Sequence, residues 1–435
     1  MKRITAAASA LAAGSLTLAG CSTSTPADTD LDAAIAEAAD VTTCVPGEHT
    51  LSVVGGSQAT DAMAVATAAL QEKYPELTIE AEPAATSGYA ELTQQVVADI
   101  AVGKRPDVIM SGLGQLGFWV EEYDAAPIDP SALADTYQDQ FLAAGTVDGE
   151  VYLAPAQISA PVLLVNQDAL DAAGAGQAED IVDYASWIAA AQKVTEATGA
   201  PSVSIASVGL ADWYSQAFVQ ASGGTFVAQD GTAGFDDATG IEALNIWPTM
   251  AEQGLELGVL NVQEAIAPFA SGEAAFVVAT TSMIATLQGM VGEAFALTAV
   301  DLPGANGTEG DLPAGGNGWI VLSDDSCEAA YASEYIGLLL GTEAVLKASG
   351  TEYSYIPVDS AAAEQLLATE GLSQAVTYAW TYDKALTPWG GFDGTMTAQV
   401  NDAINTMAQE LQLGAAAEDA VPAAAAAIDA IVGGN

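Results

Sequence analysis

Catalysis near neutral pH commonly runs on a histidine, an activated cysteine or serine, or a close pair of carboxylates. His49 is the only histidine in the sequence, so a Ser-His-Asp triad or a multi-histidine metal site lacks its main component. It alternates within a predicted strand and reads as a surface or edge residue. No Gly-x-Ser-x-Gly elbow and no phosphate loop occurs. Carboxylates number 57, and with so many a pair at some spacing is expected by chance; a glycoside hydrolase is kept only as an alternative. No metal-ligand set and no cofactor motif emerges. What does collect near the ends of predicted strands is a set of amides, hydroxyls and aromatic rings: Gln58, Ser111, Gln157, Trp213, Tyr214, Thr280, Thr281, Gly316, Asn317, Tyr353, Tyr355, Trp389 and Asp393. Groups of this kind bind a ligand through donors, acceptors and flat apolar faces.

The elements that carry these residues alternate in type, which predicts an α/β architecture. Residues 49–54 read as a strand. Met63, Ala66, Leu70 and Tyr74 fall on one helical face, which Pro75 ends. Leu77, Ile79 and Ala81 alternate as a second strand, Leu92, Val96 and Ile100 form a second helix, and 107–110 a third, buried strand. Right-handed crossovers are expected for this β-α-β-α-β series. A second series holds a core strand at 161–165, a helix capped by Asn166, a helix capped by Ser186 and ending at Gly199, a strand at 203–205 and a helix from Asp212 to Gly223. Strands are further expected at 274–278, 296–302 and 319–322, with a mainly helical segment from Ser360 onward.

At the N-terminus, Lys2 and Arg3 precede an apolar run ending in Leu18, Ala19, Gly20 and Cys21. This reads as an export signal, residues 1–20, with a lipobox whose Cys21 thiol takes the lipid. The run is shorter than the ~20 residues a spanning helix needs. Residues 21–43 are poor in large apolar side chains and read as a flexible tether. The about 390 residues that follow exceed one typical core. Setting Cys21 aside leaves Cys44 and Cys327, an even pair for which a disulfide is natural in an exported protein if their elements share a lobe. Against 57 acidic residues stand 8 basic ones, a formal charge of -49. Such a surface repels nucleic acid and anionic lipid and leaves few cations to neutralise an anionic ligand.

In order and behind the lipobox, several motifs resemble the extracellular solute-binding proteins of ABC-type carbohydrate importers, the group that includes maltose-binding protein. These are Asp148-Gly149-Glu150-Val151-Tyr152-Leu153-Ala154-Pro155, then Val165-Asn166-Gln167-Asp168 and Ala173-Gly174, Ser186-Trp187, the stretch from Ala267 to Phe276 leading to Thr280-Thr281-Ser282, and Gly315-Gly316-Asn317-Gly318-Trp319. The resemblance runs over essentially the whole mature chain.

It implies two discontinuous lobes, 44–157 plus 317–355 and 158–316 plus 356–435, joined by a hinge, with the ligand in the cleft between them. A sugar is the implied ligand, delivered to the transmembrane permease subunits by a monomeric, lipid-anchored protein on the outer face of the cytoplasmic membrane, with no enzymatic step. Gln58 and Gln157 either meet the ligand or cap a helix and bind the hinge, and one of Trp213 and Tyr214 packs in the core. Trp319 either faces the cleft or is core. A cationic ligand such as a polyamine, held by carboxylates and aromatic rings, is the alternative.

Overall fold

Short apolar runs bounded by glycine, proline and capping residues set out the strands, and in the computed structural model they assemble into two larger sheets and two two-stranded ones. The structure describes residues 36–307, 310–392 and 394–433. The export segment, Cys21, the first part of the tether and Asp393 lie outside the described residues, which belong to one compact unit.

The chain runs through β1 (Thr50–Gly55), α1 (Thr60–Lys73), β2 (Thr78–Pro83), α2 (Tyr89–Ile100), β3 (Val108–Gly112) and α3 (Leu116–Tyr123). A small hairpin, β4 (Thr146–Val147) and β5 (Glu150–Val151), leads to β6 (Ala154–Ser159) and β7 (Pro161–Asn166). There follow α4 (Gln167–Ala173), α5 (Tyr184–Thr198), β8 (Val203–Ser204), α6 (Ala211–Ala221), β9 (Phe276–Thr280) and β10 (Leu297–Asp301). The last strands are β11 (Leu312–Pro313), β12 (Gly315–Val321), β13 (Ile356–Pro357) and β14 (Leu386–Thr387).

The first sheet has six strands in the order β13-β6-β12-β3-β1-β2 and the second has four in the order β10-β7-β9-β8. β1 is parallel to β2 and β3, while β12 runs antiparallel to β3 and β6. β3, β6, β7, β9 and β12 are buried along their whole length; β3, β7 and β9 accordingly open on apolar runs rather than alternating ones, while β6 and β12 bury the polar Gln157, Ser159 and Asn317. β11 pairs in parallel with β14 and so fixes the segment that follows β14.

The chain crosses from the first sheet to the second at Ala160, between β6 and β7, and returns through β12. Pairing keeps Gln157 to Ser159 in the first sheet with Gly315 and Gly316, two residues beyond the expected divisions at 157/158 and 316/317. Ile356 and Pro357 also pair into the first sheet, against β6, although the sequence reading assigned them to the second lobe.

Asp183, not Ser186, caps α5. Its carboxylate accepts from the Ser186 amide at 2.7 Å, and the Ser186 hydroxyl accepts from the Asp183 amide at 3.1 Å. This reciprocal pair starts the helix at Tyr184, three residues earlier than a Ser186 cap would. The strand expected at 274–278 forms at Phe276–Thr280, because the Ala274 amide is taken by Pro268 O at the end of the preceding helix. His49 lies just before β1, with Nδ1 3.5 Å from Asp325 and 3.8 Å from Glu328. The segment after Ser360 is mainly helical but interrupted by β14 and the turn after it.

Cys44 and Cys327 form a disulfide with Cα atoms 5.7 Å apart. It ties the segment before β1 to the helix Ser326–Leu339, which packs on α1. Trp319 is core, only 2% exposed. No helix among the described residues is long and apolar enough to cross a membrane.

Candidate functional site

Strands in open α/β sheets aim their carboxyl ends at one crevice, where chain direction leaves room and backbone groups free. Here β3 ends at Gly112 and β9 at Thr280, and both residues line a single cavity of about 600 Å³. From the first-sheet side come Tyr89, Glu91 and Thr93 on the opening turns of α2, Gln115 and Phe118 around the start of α3, and Ser159, Gly315, Gly316 and Tyr355 at the crossings. From the second-sheet side come Leu210, Asp212 and Trp213 at the start of α6, Thr280 and Ser282, Trp389, and Thr397, Asn401 and Asn405 on the helix Thr397–Gln412. Among the described residues no lysine or arginine lines it. Lys73 and Lys384 are paired elsewhere, with Glu334 and Asp301.

Trp389 is held from three directions. Its Nε1 donates to Asp212 Oδ2 at 2.8 Å. Gln216 clamps the turn around it, donating from Nε2 to Pro388 O at 2.9 Å and accepting the Gly390 amide at 2.9 Å. Its ring lies 5.9 Å from that of Trp213 and against the Gly114 backbone, where a Cβ would stand 2.9 Å from the indole. Burial pushes the Asp212 carboxyl up to about 6, partly offset by the bond from Trp389. Trp213 donates in turn from Nε1 to Pro313 O at 3.1 Å.

A second polar cluster sits where the chain crosses between sheets. Asn317 Nδ2 donates to the Tyr89 hydroxyl at 3.1 Å and to Gln157 Oε1 at 3.0 Å, and Gln157 Nε2 donates to Gln58 O at 3.2 Å. Gln58 Nε2 in turn donates to Ser87 O at 3.3 Å. Burial raises the phenol pKa of both Tyr89 and Tyr355, so both hydroxyls stay protonated. Asn405 Oδ1 is buried, lines the cavity region and has no hydrogen-bond partner.

Of the residues expected from sequence, Trp213, Thr280, Gly316, Tyr355 and Trp389 line the cavity. Gln58, Gln157 and Asn317 do not; they form the polar cluster just described, at the crossings between the sheets. Ser111 is 2% exposed inside β3, with its hydroxyl on Gly112 O. Tyr214 is core, 1% exposed, with its ring 5.7 Å from that of Trp213. Thr281 is fully buried and accepts the Ala160 amide at 3.1 Å, fastening the crossing. Tyr353 packs on Tyr355, with ring centres 5.9 Å apart, without lining the cavity. Asp393 is outside the described residues. Sequence reading missed Tyr89, Glu91, Phe118, Asp212, Asn401 and Asn405. For Asp212 a signal existed, a carboxylate immediately before Trp213, but it read as an ordinary helix-start residue.

Comparison with known proteins agrees with this geometry. No curated protein sequence matches the chain. Among solved structures, the fold is similar to the cyclic alpha-maltosyl-1,6-maltose binding protein from Arthrobacter globiformis, with 18% identity over 89% of this chain and 99% of that one and a TM-score of 0.74. It is similar to UgpB from Mycobacterium tuberculosis in complex with glycerophosphocholine, with 18% identity, 88% and 98% coverage and a TM-score of 0.71. The maltose-binding protein MalE of Listeria monocytogenes in complex with maltose gives 17% identity, 89% and 99% coverage and a TM-score of 0.69. Residues 65–379 match the family model for bacterial extracellular solute-binding proteins, and with most of its length matched the chain belongs to that family.

Proposed function

We propose that the cavity captures a neutral saccharide and that the protein, anchored by lipid on Cys21, hands it to the permease subunits of an ABC-type importer without altering it. The observation that carries this reading is the lining: mostly aromatic rings and uncharged hydrogen-bonding groups around about 600 Å³, with two carboxyl groups and no basic side chain among the described residues. A sugar ring offers hydroxyls that both donate and accept, and a CH face that packs on an aromatic ring. Thr280, Ser282, Gln115, Asn401 and Asn405 supply the first kind of partner, and Trp213, Trp389, Tyr89 and Tyr355 the second. A cavity of this volume falls within the usual range for small-molecule sites of about 300–1,000 Å³. Several structural relatives are described as maltose or maltodextrin binders, which supports the ligand class.

One observation favours a second reading. Glu91 and Asp212 bring carboxylates to the lining, as a cationic ligand such as a polyamine requires, and one relative is described in complex with glycerophosphocholine. Asp212 is already engaged by Trp389, which weighs for the sugar.

Thermal unfolding of the protein with maltose, maltotetraose, tagatose, spermidine and glycerophosphocholine tests both. A Tm that rises with the concentration of one neutral sugar, as mass action requires, is expected. A rise only with spermidine transfers the function to cationic ligands, a rise only with glycerophosphocholine to zwitterions carrying an ammonium group, and no rise with any of them overturns the reading. Mass spectrometry of the mature N-terminus reads whether Cys21 carries lipid.

A further inference from the structure

We propose that Tyr89 is an aromatic platform for the saccharide and that Asn317, which does not itself line the cavity, is the residue that positions it. The proposal rests on the saccharide reading of the cavity and adds a named ring and the group that sets its angle.

Tyr89 is the first residue of α2, and a side chain at a helix start has no preceding turn to pack against. Its ring is fixed instead by two features of the central strands. Below it lies Gly112, where a Cβ would stand 2.7 Å from Cγ and Cδ2 of the ring, so only a glycine lets the ring rest on the backbone. Its hydroxyl tip is held by Asn317 Nδ2 at 3.1 Å. Gly112 and Asn317 are direct partners in the β3–β12 register, so one pair of facing residues supplies both the floor and the tether. Asn317 is fully buried, and its second amide bond goes to Gln157 Oε1 at 3.0 Å, which aims the Nδ2 protons and uses its donor capacity. With its tip tied and one side on Gly112, the ring has its remaining surface for the cavity it lines.

The geometry also ties the platform to the crossings. Asn317 is in β12 and Gln157 in β6, and Asn317 bonds both the Tyr89 hydroxyl and the Gln157 side chain. A change in the angle between these segments therefore changes how the ring is presented.

The test is a double-mutant cycle, with Kd measured by titration calorimetry below the Tm of every variant. The probe is whichever of maltose, maltotetraose and tagatose gives the largest thermal shift with the unmodified protein. Tyr89→Leu, which removes the ring, is expected to weaken binding more than tenfold. Tyr89→Phe, which keeps the ring and drops its tether, and Asn317→Ala are each expected to weaken it about three- to tenfold. The double variant Y89F/N317A is expected to bind within twofold of the weaker single variant, because Asn317 acts through a hydroxyl that Phe lacks. Losses that multiply in the double variant overturn the positioning role, since a general structural effect of Asn317 does not depend on that hydroxyl. If N317A does not fold, Y89F decides alone, and unchanged affinity in Y89F overturns the proposal. A saccharide that binds the unmodified protein but not measurably less well to Y89L removes the platform and leaves the saccharide reading standing. No binding of any of the three sugars overturns both.

Discussion

At the scale of single residues, Asp212 and Glu256 are carboxyls kept out of water by the fold. Asp212 is 6% exposed and Glu256 is 8% exposed, and desolvation pushes them up to about 6 and about 7 from ordinary values near 4. Their bonds, Trp389 Nε1 to Asp212 at 2.8 Å and Gln412 Nε2 to Glu256 at 2.7 Å, pull in the other direction without cancelling the burial. The folded state then holds protons that the unfolded chain releases at lower pH. Their stabilising effect is complete below the unfolded pKa and is lost as pH rises through the folded one, so stability falls between about pH 4 and 7. The loss is at most about 3 kcal/mol for either group. We expect Tm to decline across this range in the unmodified protein. Asp212→Asn, which keeps an acceptor for the indole and has no charge to bury, should flatten the part between pH 4 and 6 and leave the part due to Glu256. Melting curves followed by circular dichroism at unit pH steps read this directly; an equal decline in both proteins sinks the assignment to Asp212.

At the scale of elements, the disulfide joins the approach to β1 with the helix Ser326–Leu339, two pieces separated by 283 residues in sequence. Closing so long a loop removes much entropy from the unfolded chain, and loss of a native disulfide costs roughly 2–5 kcal/mol. Reduction, or Cys44→Ser, should lower Tm by several degrees without changing saccharide affinity, because neither cysteine lines the cavity. An unchanged Tm would mean that backbone bonds such as Ala36 to Ser323 O and Ala39 to Ser326 O hold the segment unaided. Cysteine count left Cys44 and Cys327 as an even pair, and only the family resemblance put them in one lobe. The strands were readable directly, since β3, β7 and β9 open on apolar runs. The cavity lining was less legible. Neighbouring side chains take opposite roles: Thr280 lines the cavity while Thr281 fastens Ala160, and Trp213 lines it while Tyr214 is core. Which residue of each pair faces inward is set by the packing of one sheet against elements far away in sequence. Tyr89 escaped notice because its place depends on Gly112 and Asn317, residues 23 and 228 positions further along the chain.

For the whole molecule, the dominant quantity is a formal charge of -49 on 435 residues. Most of this charge is on the surface, and few lysines or arginines are interspersed to offset it. Like charges this dense repel one another in the compact state and gain distance on unfolding, so the surface opposes folding at low ionic strength. Salt shortens the reach of that repulsion, from a Debye length of about 10 Å at 0.1 M to about 3 Å at 1 M. The buried carboxyls are screened much less, which separates their pH effect from this one. Tm should therefore rise as sodium chloride increases from 0.05 to 1 M at pH 7.5, and rise less at pH 4.5, where part of the surface is neutralised. Saccharide affinity should change little across the same series, because the proposed ligand is neutral and no basic group among the described residues lines the cavity. A ligand whose binding weakens steeply with salt would instead carry positive charge, drawn in by the acidic surface and by Glu91 and Asp212. Measuring Tm and Kd over one salt series thus reads two properties at once: the slope of Tm reports the repulsion the fold tolerates, and the slope of Kd reports the charge of what the cleft holds.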